Sequence, residues 1–166
     1  KLVIKCLGKD FHIDKHGHVS SEIHIHSWVK RPLLDYIIRN SEVNPSGKWV
    51  AFKELPSGQR WYPLYRQRCE KALLKVADEN TSLFTDVVGL FGNRTEIAGI
   101  TADRITIHYP LPKLHVLICY TGPEYGFDSN LTLYYDKNAE EIVNIESIYS
   151  LVVGMTIMIE KIMRRH

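Results

Sequence analysis

Five histidines lie close together near the start of the chain, and their chemistry suits a metal ion. They are His12, His16, His18, His24 and His26, all within fifteen residues. Neutral imidazole nitrogen is a common ligand of zinc, nickel, copper and iron. The carboxylates of Asp10 and Glu22 belong to the same segment and could bind the ion or orient the imidazole rings.

The strands predicted for this segment would gather several of these side chains on one face. Alternation of apolar residues predicts an antiparallel meander of three strands, Leu2–Leu7, Phe11–Asp14 and Val19–His26. A turn with three residues at its tip pairs residue 12 with residue 22, and residue 10 with residue 24. The candidate metal ligands on that face are His12, His24, His26, Asp10 and Glu22. A shift of one residue would scatter them, and a solvated polar strand face explains the same pattern without a metal.

A glycine-rich loop supplies a second group of polar and aromatic side chains. It follows a predicted buried strand, runs from Thr121 to Asn130, and contains Glu124, Tyr125 and Asp128. Loops that leave a rigid strand often carry binding residues, and two carboxylates could exchange protons. We expect Glu124, Tyr125 and Asp128 to contact a ligand or partner. The alternative is an ordinary strand connection whose aromatic rings cover the core.

Aromatic and arginine side chains alternate between Arg60 and Arg68. Tryptophan, tyrosine and arginine are enriched at protein-binding hot spots, so Trp61, Tyr62 and Arg66 are candidates for binding a ligand or a protein partner. Such residues also stack on nucleic-acid bases. The net charge of +2 supplies no strongly basic surface, however, so no nucleic-acid partner is expected. Core packing beside an amphipathic helix is the alternative for these rings.

No sequence motif identifies an enzyme. The chain lacks the glycine-rich patterns that bind nucleotides and the nucleophile-elbow context of a catalytic serine. Its three cysteines, Cys6, Cys69 and Cys119, are widely separated, whereas iron–sulfur ligands usually lie at short spacings. We therefore assign no catalytic and no cofactor-binding residue. The only cofactor expected in this chain is a divalent metal at the histidines, and the thiols are expected to be structural.

The order of predicted elements indicates a single α+β domain. Strands come first, then helices, then strands again, without the regular alternation of a doubly wound sheet. We expect a mixed or antiparallel sheet flanked by helices, with Leu114–Tyr120 as a central strand. Prolines are tolerated in a first turn, so one helix is expected to open at Pro32 and another near Tyr62. The apolar residues of the last segment follow the helical period, which predicts one long C-terminal helix, Ile145 to Arg165.

Composition and cysteine usage favour a cytoplasmic protein. Of the 166 residues, 45% are hydrophobic and 24% are charged, which is ordinary for a globular domain. Few, scattered cysteines are typical of a reducing compartment. The longest apolar stretch, Leu151–Ile159, is too short to span a membrane, so no membrane partner is expected. Lys1 begins inside a predicted strand, so we expect residues 1–166 to be the C-terminal part of a longer protein.

A series of short stretches carries a family resemblance. They are Leu7-Gly8-Lys9-Asp10-Phe11, Trp28-Val29-Lys30, Pro32-Leu33-Leu34, Gly47-Lys48-Trp49-Val50-Ala51-Phe52, Trp61-Tyr62-Pro63-Leu64, Tyr109-Pro110-Leu111-Pro112, Cys119-Tyr120 through Phe127, and Ile145-Glu146-Ser147-Ile148-Tyr149. In this order and spacing they resemble an uncharacterised family, domain of unknown function 3786. The resemblance covers about Val3 to His166, nearly the whole chain.

The resemblance implies a biological setting rather than a reaction. Domains of this family often follow a cysteine-rich four-iron–four-sulfur segment in anaerobic bacteria and archaea, and that segment is similar to one in corrinoid proteins of one-carbon metabolism. It implies that cluster ligands lie upstream of Lys1. We therefore expect a non-catalytic binding or docking module that meets a protein partner or an upstream iron–sulfur domain. The alternative is a metal-dependent enzyme built on the histidine cluster.

Overall fold

The computed structural model describes residues 1–23 and 27–165, and its elements confirm the predicted α+β class. Two antiparallel sheets, of three and five strands, pack with helices. The strands are β1 Leu2–Cys6, β2 Lys9–Ile13, β3 Val19–Ser20, β4 Trp49–Ala51, β5 Gly92–Arg94, β6 Arg104–Leu111, β7 Leu114–Thr121 and β8 Asn130–Asp136. The helices are α1 Ser27–Arg39, α2 Gly58–Tyr65, α3 Lys71–Glu79, α4 Thr81–Phe91, α5 Ala139–Ile142 and α6 Ile145–Arg164.

The small N-terminal sheet is the predicted meander in a different register. β1 pairs with β2, and β2 pairs with β3, all antiparallel. Phe11 and Ile13 are buried, so the predicted apolar face of β2 is confirmed. His12, however, pairs with Ser20 rather than with residue 22. Within the described residues β3 also ends at Ser20, well short of the strand predicted from Val19 to residue 26.

The turn between β2 and β3 explains this register. The Asp14 carboxylate accepts the backbone N–H groups of His16 and His18, at 2.8 and 2.9 Å, and lies 3.0 Å from His18 Nδ1. These hydrogen bonds, the backbone N–H of His18 first, hold the pKa of Asp14 below its ordinary value. The N–H of Asp14 also donates to the carbonyl of His18 at 3.0 Å, so the three residues at the tip of the turn are 15–17. The tip therefore lies one residue earlier than the tip expected around Gly17, which moves every strand pair by two residues.

The main sheet has the strand order β4-β8-β7-β6-β5, with every neighbouring pair antiparallel. β7 lies in the middle, which confirms the predicted central strand. Its residues Leu114, Val116 and Leu117 are completely buried. Consecutive residues of a strand point to opposite faces, so burial of both Val116 and Leu117 means that both faces of the sheet are covered.

A buried carboxylate at the end of β8 anchors the loop that precedes β4. Asp136 Oδ1 accepts the N–H of Ser46 at 3.0 Å and that of Asn138 at 2.9 Å, and Oδ2 accepts the N–H of Gly47 at 2.8 Å. Burial would raise the pKa of Asp136, but these N–H groups outweigh it and hold the pKa below its ordinary value. The loop and edge strand β4 are thereby held against the sheet.

The first helix begins earlier than predicted. α1 starts at Ser27, so Pro32 lies inside the helix rather than opening it. Proline has no N–H, and the carbonyl four residues before it loses its helical partner. That carbonyl belongs to Trp28 and accepts the hydroxyl of Ser150 on α6 at 2.7 Å. A tertiary hydrogen bond therefore replaces the missing helical one, which local sequence could not show.

The second helix also begins before its predicted start at Tyr62. α2 starts at Gly58, and the helical path continues through a π-helical turn, Arg66–Glu70, into α3. A Cβ atom at Gly58 would collide with the carbonyl group of Phe52. Only glycine therefore allows α2 to begin this close to the end of β4.

The C-terminal helix is one continuous element, as predicted. Asn144 Oδ1 caps it by accepting the N–H of Ser147 at 2.8 Å. Its apolar stripe, including Ile148, Val152 and Ile159, is buried. At Gly154 the helix approaches α1, because a Cβ atom there would lie 3.2 Å from the Cβ atom of Trp28. Across residues 1–23 and 27–165, no helix combines the length and apolarity needed to cross a bilayer.

Candidate functional site

A cleft opens where the edge strand of the main sheet stops short. β4 has three residues, and its last residue, Ala51, pairs with Tyr134 of β8. β8 begins four residues earlier in the sequence, at Asn130. The chain leaves the sheet after Ala51 through a short 3-10 turn, Phe52–Glu54. The first part of β8 is therefore not covered by β4, and helical residues approach it instead.

Glu70 closes this edge of the sheet from a widened turn of helix. It is the last residue of the π-helical turn Arg66–Glu70, and such turns recur at functional sites. The Glu70 side chain is buried, and its Oε2 accepts the backbone N–H of Leu133 at 2.9 Å. A carboxylate on a helix thereby supplies the acceptor that a neighbouring strand would otherwise give.

Three aromatic rings form the floor below Glu70. Phe52 stacks on Tyr65 with ring centroids 3.8 Å apart, and Tyr135 meets both rings edge-on. The Tyr135 hydroxyl donates to the Tyr65 hydroxyl at 3.0 Å, and the Tyr65 hydroxyl donates to Glu70 Oε2 at 3.4 Å. Both tyrosines are completely buried. Hydrogen bonds from the core and from β8 therefore fix the position of the Glu70 carboxyl group.

The cleft has a volume of about 280 Å³ and an excess of basic side chains. Lys53, Arg66 and Lys71 line it, and Glu70 is the only acidic residue among its described lining. All three basic side chains are exposed, and none forms an ion pair with another described residue. Their positive charge is therefore available to a ligand in the cleft.

Burial raises the pKa of Glu70, the one acidic residue among the described lining of the cleft. Loss of solvent is the largest influence; the N–H of Leu133, the Tyr65 hydroxyl and the charges of Arg66 and Lys53 act in the opposite direction. The net pKa lies above the ordinary value of a glutamate. Three basic side chains thus line the cleft beside a single carboxyl group, so the cleft keeps an excess of positive charge.

The edge of β8 adds backbone polarity to the cleft. Hydrogen-bonding directions alternate along a strand, so the N–H of Leu131 points to the same edge as that of Leu133. Leu131 lines the cleft, together with the side chains of Asn130 and Thr132. Tyr62, on the opposite wall, supplies apolar surface. The site can therefore receive a polar, negatively charged group beside a small apolar one.

The aromatic and arginine residues singled out in the sequence are divided by the structure. Tyr62 and Arg66 both line the cleft, and Lys53 Nζ lies 5.5 Å from the centre of the Tyr62 ring. Trp61 instead packs against Tyr149, with ring centroids 5.5 Å apart. Trp61 therefore joins the packing between α2 and α6, which was the alternative considered for these aromatic residues.

The loop candidates Glu124, Tyr125 and Asp128 lie apart from the cleft. They lie on the hairpin between β7 and β8, where all three are exposed. None of them lines the cleft, although Asn130 at the base of the hairpin does. The structure therefore does not bring these three residues together with Tyr62 and Arg66.

The histidine candidates are only partly described by the structure. His24 and His26 lie outside the described residues. Asp10 lies 3.7 Å from the ammonium group of Lys5, and Glu22 is exposed. His12 is half-buried, and its Nδ1 atom is buried with no hydrogen-bond partner among the described residues. Within residues 1–23 and 27–165, no three histidine, cysteine or carboxylate side chains are grouped closely enough to hold a metal.

The buried thiols are poorly suited to nucleophilic chemistry. Burial raises the pKa of Cys6 and that of Cys119 to about 12, and it raises the pKa of Cys69 further. A thiol with such a pKa is almost entirely protonated at neutral pH, whereas the thiolate is the reactive form. These properties agree with the structural role expected for the three cysteines.

Sequence reasoning did not identify Glu70, Lys53 or Lys71. Glu70 follows Cys69, which belongs to the buried stripe of this helix, so a charged residue beside that stripe was a usable signal. Lys53 and Lys71 carried no local signal, because they become neighbours only through the turn after β4 and the helical path above it.

Taken together, the fold and the site define an α+β protein with a basic cleft over the open edge of its main sheet. The chain belongs to the family described as Domain of unknown function (DUF3786), which matches residues 1–158. No curated protein and no solved structure matches the chain. The family description gives no activity.

Proposed function

We propose that this protein is a binding module that holds a small organic or inorganic oxyanion in the Glu70 cleft. The observation that carries the proposal is the charge of the lining: three basic side chains without ion-pair partners among the described residues face one carboxyl group with a raised pKa. The role is binding rather than chemistry, in line with the module expected from the sequence.

The donors in the cleft match the geometry of an oxyanion. The guanidinium of Arg66 can donate two parallel hydrogen bonds to a carboxylate or phosphate group. Lys53 and Lys71 add ammonium charges, and the Leu131 N–H adds a neutral donor from the sheet edge. Because Glu70 is held by Leu133 and Tyr65, it stays in place instead of turning to neutralise these cations.

Calorimetric titration with inorganic phosphate and pyrophosphate tests this proposal. We expect saturable binding that weakens as salt is added, because added ions screen the attraction. The Arg66→Ala and Lys71→Ala variants should each lose at least about tenfold in affinity, or about 1.4 kcal/mol.

Lys75→Ala is the matched control. Lys75 is an exposed lysine on the same helix as Lys71 but outside the cleft lining. Its substitution should leave the affinity unchanged. Absence of saturable binding to the wild-type chain, or an equal loss in the control, would contradict an anion site in this cleft.

The resemblance adds a proposed setting for the module. We propose that it works beside an upstream iron–sulfur domain, or docks on a protein partner, in anaerobic redox or one-carbon metabolism. Support comes from the family resemblance alone. Elemental analysis of the natural full-length protein, purified without oxygen, tests the setting: about four irons and four sulfides per chain support it, and absence of iron contradicts it.

A metal-dependent enzyme built on the N-terminal histidines is the second candidate. It is favoured by one observation, the buried Nδ1 atom of His12 without a hydrogen-bond partner among the described residues. Titration of zinc or nickel into the wild-type chain and the His24→Ala, His26→Ala double variant tests it. A loss of at least about tenfold in affinity would support these ligands, and unchanged binding would contradict them.

A further inference from the structure

The hairpin between β7 and β8 presents two large aromatic side chains to solvent. Tyr125 is fully exposed, and Phe127 is 77% exposed. The tip of this hairpin, residues 124–127, is a hydrogen-bonded turn, because Glu124 and Phe127 exchange backbone hydrogen bonds of 3.1 and 2.8 Å. Gly126 has a φ of +83°, a conformation that glycine adopts readily at such turns. A defined tip with two exposed aromatic rings is typical of an interaction site.

An apolar groove lies on another part of the same chain. It has a volume of about 280 Å³ and lies between the small sheet, α1 and α6. Its apolar lining includes Leu7, Phe11, Val29, Ile157, Met158 and Ile162. Two basic residues, Lys161 and Arg165, also line the groove, and both are exposed. Neither forms an ion pair with another described residue.

Tip and groove are complementary in both polarity and charge. The aromatic rings of the tip are flanked by Glu124 and Asp128, and neither carboxylate forms an ion pair with another described residue. The groove presents apolar surface flanked by Lys161 and Arg165. We propose that the hairpin tip of one copy of this chain inserts into the groove of a second copy.

The two surfaces cannot meet within one chain. The tip extends from the Thr121 end of β7. The groove includes Leu7, whose N–H donates to the carbonyl of Pro110 near the opposite end of the sheet. β7 has eight residues between these ends, a length of about 26 Å at about 3.3 Å per residue. Contact between tip and groove therefore requires two molecules.

Buried area favours a reciprocal dimer, in which the tip of each copy inserts into the groove of the other. Two aromatic side chains bury about 150–250 Å² each. One insertion, counted together with the groove surface that it covers, therefore removes about 800 Å² from solvent. A single insertion falls below the about 1,200 Å² of specific interfaces, whereas two reciprocal insertions reach about 1,600 Å². The structure thus assigns a two-fold symmetric pair, not an open chain of copies.

Light scattering coupled to size exclusion, over a concentration series, tests the dimer. We expect the wild-type chain to be a dimer at high micromolar concentration and the Tyr125→Ser, Phe127→Ser variant to be a monomer. Leu90→Ser, which removes an exposed leucine from α4, is the matched control and should remain dimeric. A wild-type monomer, a dimer that survives the tip substitutions, or open-ended polymers would each overturn the reciprocal dimer.

Charge reversal separates docking from a general loss of folding. The Glu124→Lys, Asp128→Lys variant and the Lys161→Glu, Arg165→Glu variant should each dimerise at least tenfold more weakly than the wild type. Mixed in equal amounts, they should form a heterodimer, because both tip–groove contacts then again pair opposite charges. Recovery of dimers only in the mixture supports the proposal, and a mixture that stays monomeric overturns it.

Discussion

Glu70 Oε2 accepts the backbone N–H of Leu133 at 2.9 Å, although the two residues are 63 positions apart in the sequence. The bond joins the π-helical turn to the edge of the main sheet and leaves a basic cleft above the contact. Burial raises the pKa of the same carboxyl group. We therefore expect both the stability of the fold and the affinity of the cleft for a ligand to depend on the Glu70 side chain.

Replacing Glu70 with alanine should destabilise the fold. The substitution leaves the buried N–H of Leu133 without its acceptor and removes the partner of the Tyr65 hydroxyl. An unsatisfied buried donor costs about 1–3 kcal/mol, so the free energy of unfolding in urea should fall by about that amount. Glu79→Ala changes an exposed glutamate on α3 and should have little effect. An equal loss in both variants would contradict a specific role for Glu70.

The pH dependence of stability should reveal the raised pKa of Glu70. A carboxyl group whose pKa is higher in the folded state contributes stability below its unfolded pKa and loses it as pH rises through the folded value. The stability of the wild-type chain relative to Glu70→Gln should therefore fall as pH rises from the ordinary glutamate pKa through the raised one. Parallel stability curves for the two proteins would show that the pKa of Glu70 is not raised.

Asp136 should show the opposite pH dependence. Its carboxylate accepts N–H groups from Ser46, Gly47 and Asn138, and its pKa is held below the ordinary value. The stability it provides is present above the unfolded pKa and is lost as pH falls through the lower folded pKa. Asp136→Ala should cost about 1.5–3 kcal/mol at neutral pH. Urea unfolding at several pH values measures both effects, with the exposed Asp86 of α4 replaced by alanine as the control.

Two glycine substitutions should change stability in opposite directions. Gly58→Ala places a Cβ atom against the carbonyl of Phe52 and forces the start of α2 away from the end of β4, so the free energy of unfolding should fall. Gly89 lies inside α4 with no atom near its Cβ position. Alanine is favoured over glycine within a helix by about 1 kcal/mol, so Gly89→Ala should stabilise the protein. A neutral Gly58→Ala variant would contradict the close packing.

The three thiols should react slowly in the folded protein. Cys6, Cys69 and Cys119 are buried, and burial raises the pKa of each. Titration with a chromogenic disulfide near pH 8 should give rates at least about a hundredfold lower in buffer than in denaturant, because only exposed thiolate reacts. In denaturant, all three thiols should react with the reagent. Rapid reaction of one thiol in the native state would show that its surroundings open to solvent.

Local pattern in the sequence predicted the elements whose periodicity is strong. The helical spacing of Ile148, Val152 and Ile159 predicts α6, and the structure shows one continuous helix with that stripe buried. The continuous apolar run of Leu114–Tyr120 predicts the central strand, which the sheet order confirms. These predictions succeed because burial of a regular stripe is encoded within the element itself.

Tertiary structure decided the features that depend on residues distant in the sequence. Pro32 can lie inside α1 because Ser150 of α6 satisfies the carbonyl of Trp28. The cleft exists because β4 ends before β8 does, and because the π-helical turn places Glu70 against Leu133. Neither contact leaves a periodic pattern in either segment. By itself the sequence therefore determined the class of fold, whereas long-range hydrogen bonds and packing determined where a ligand could bind.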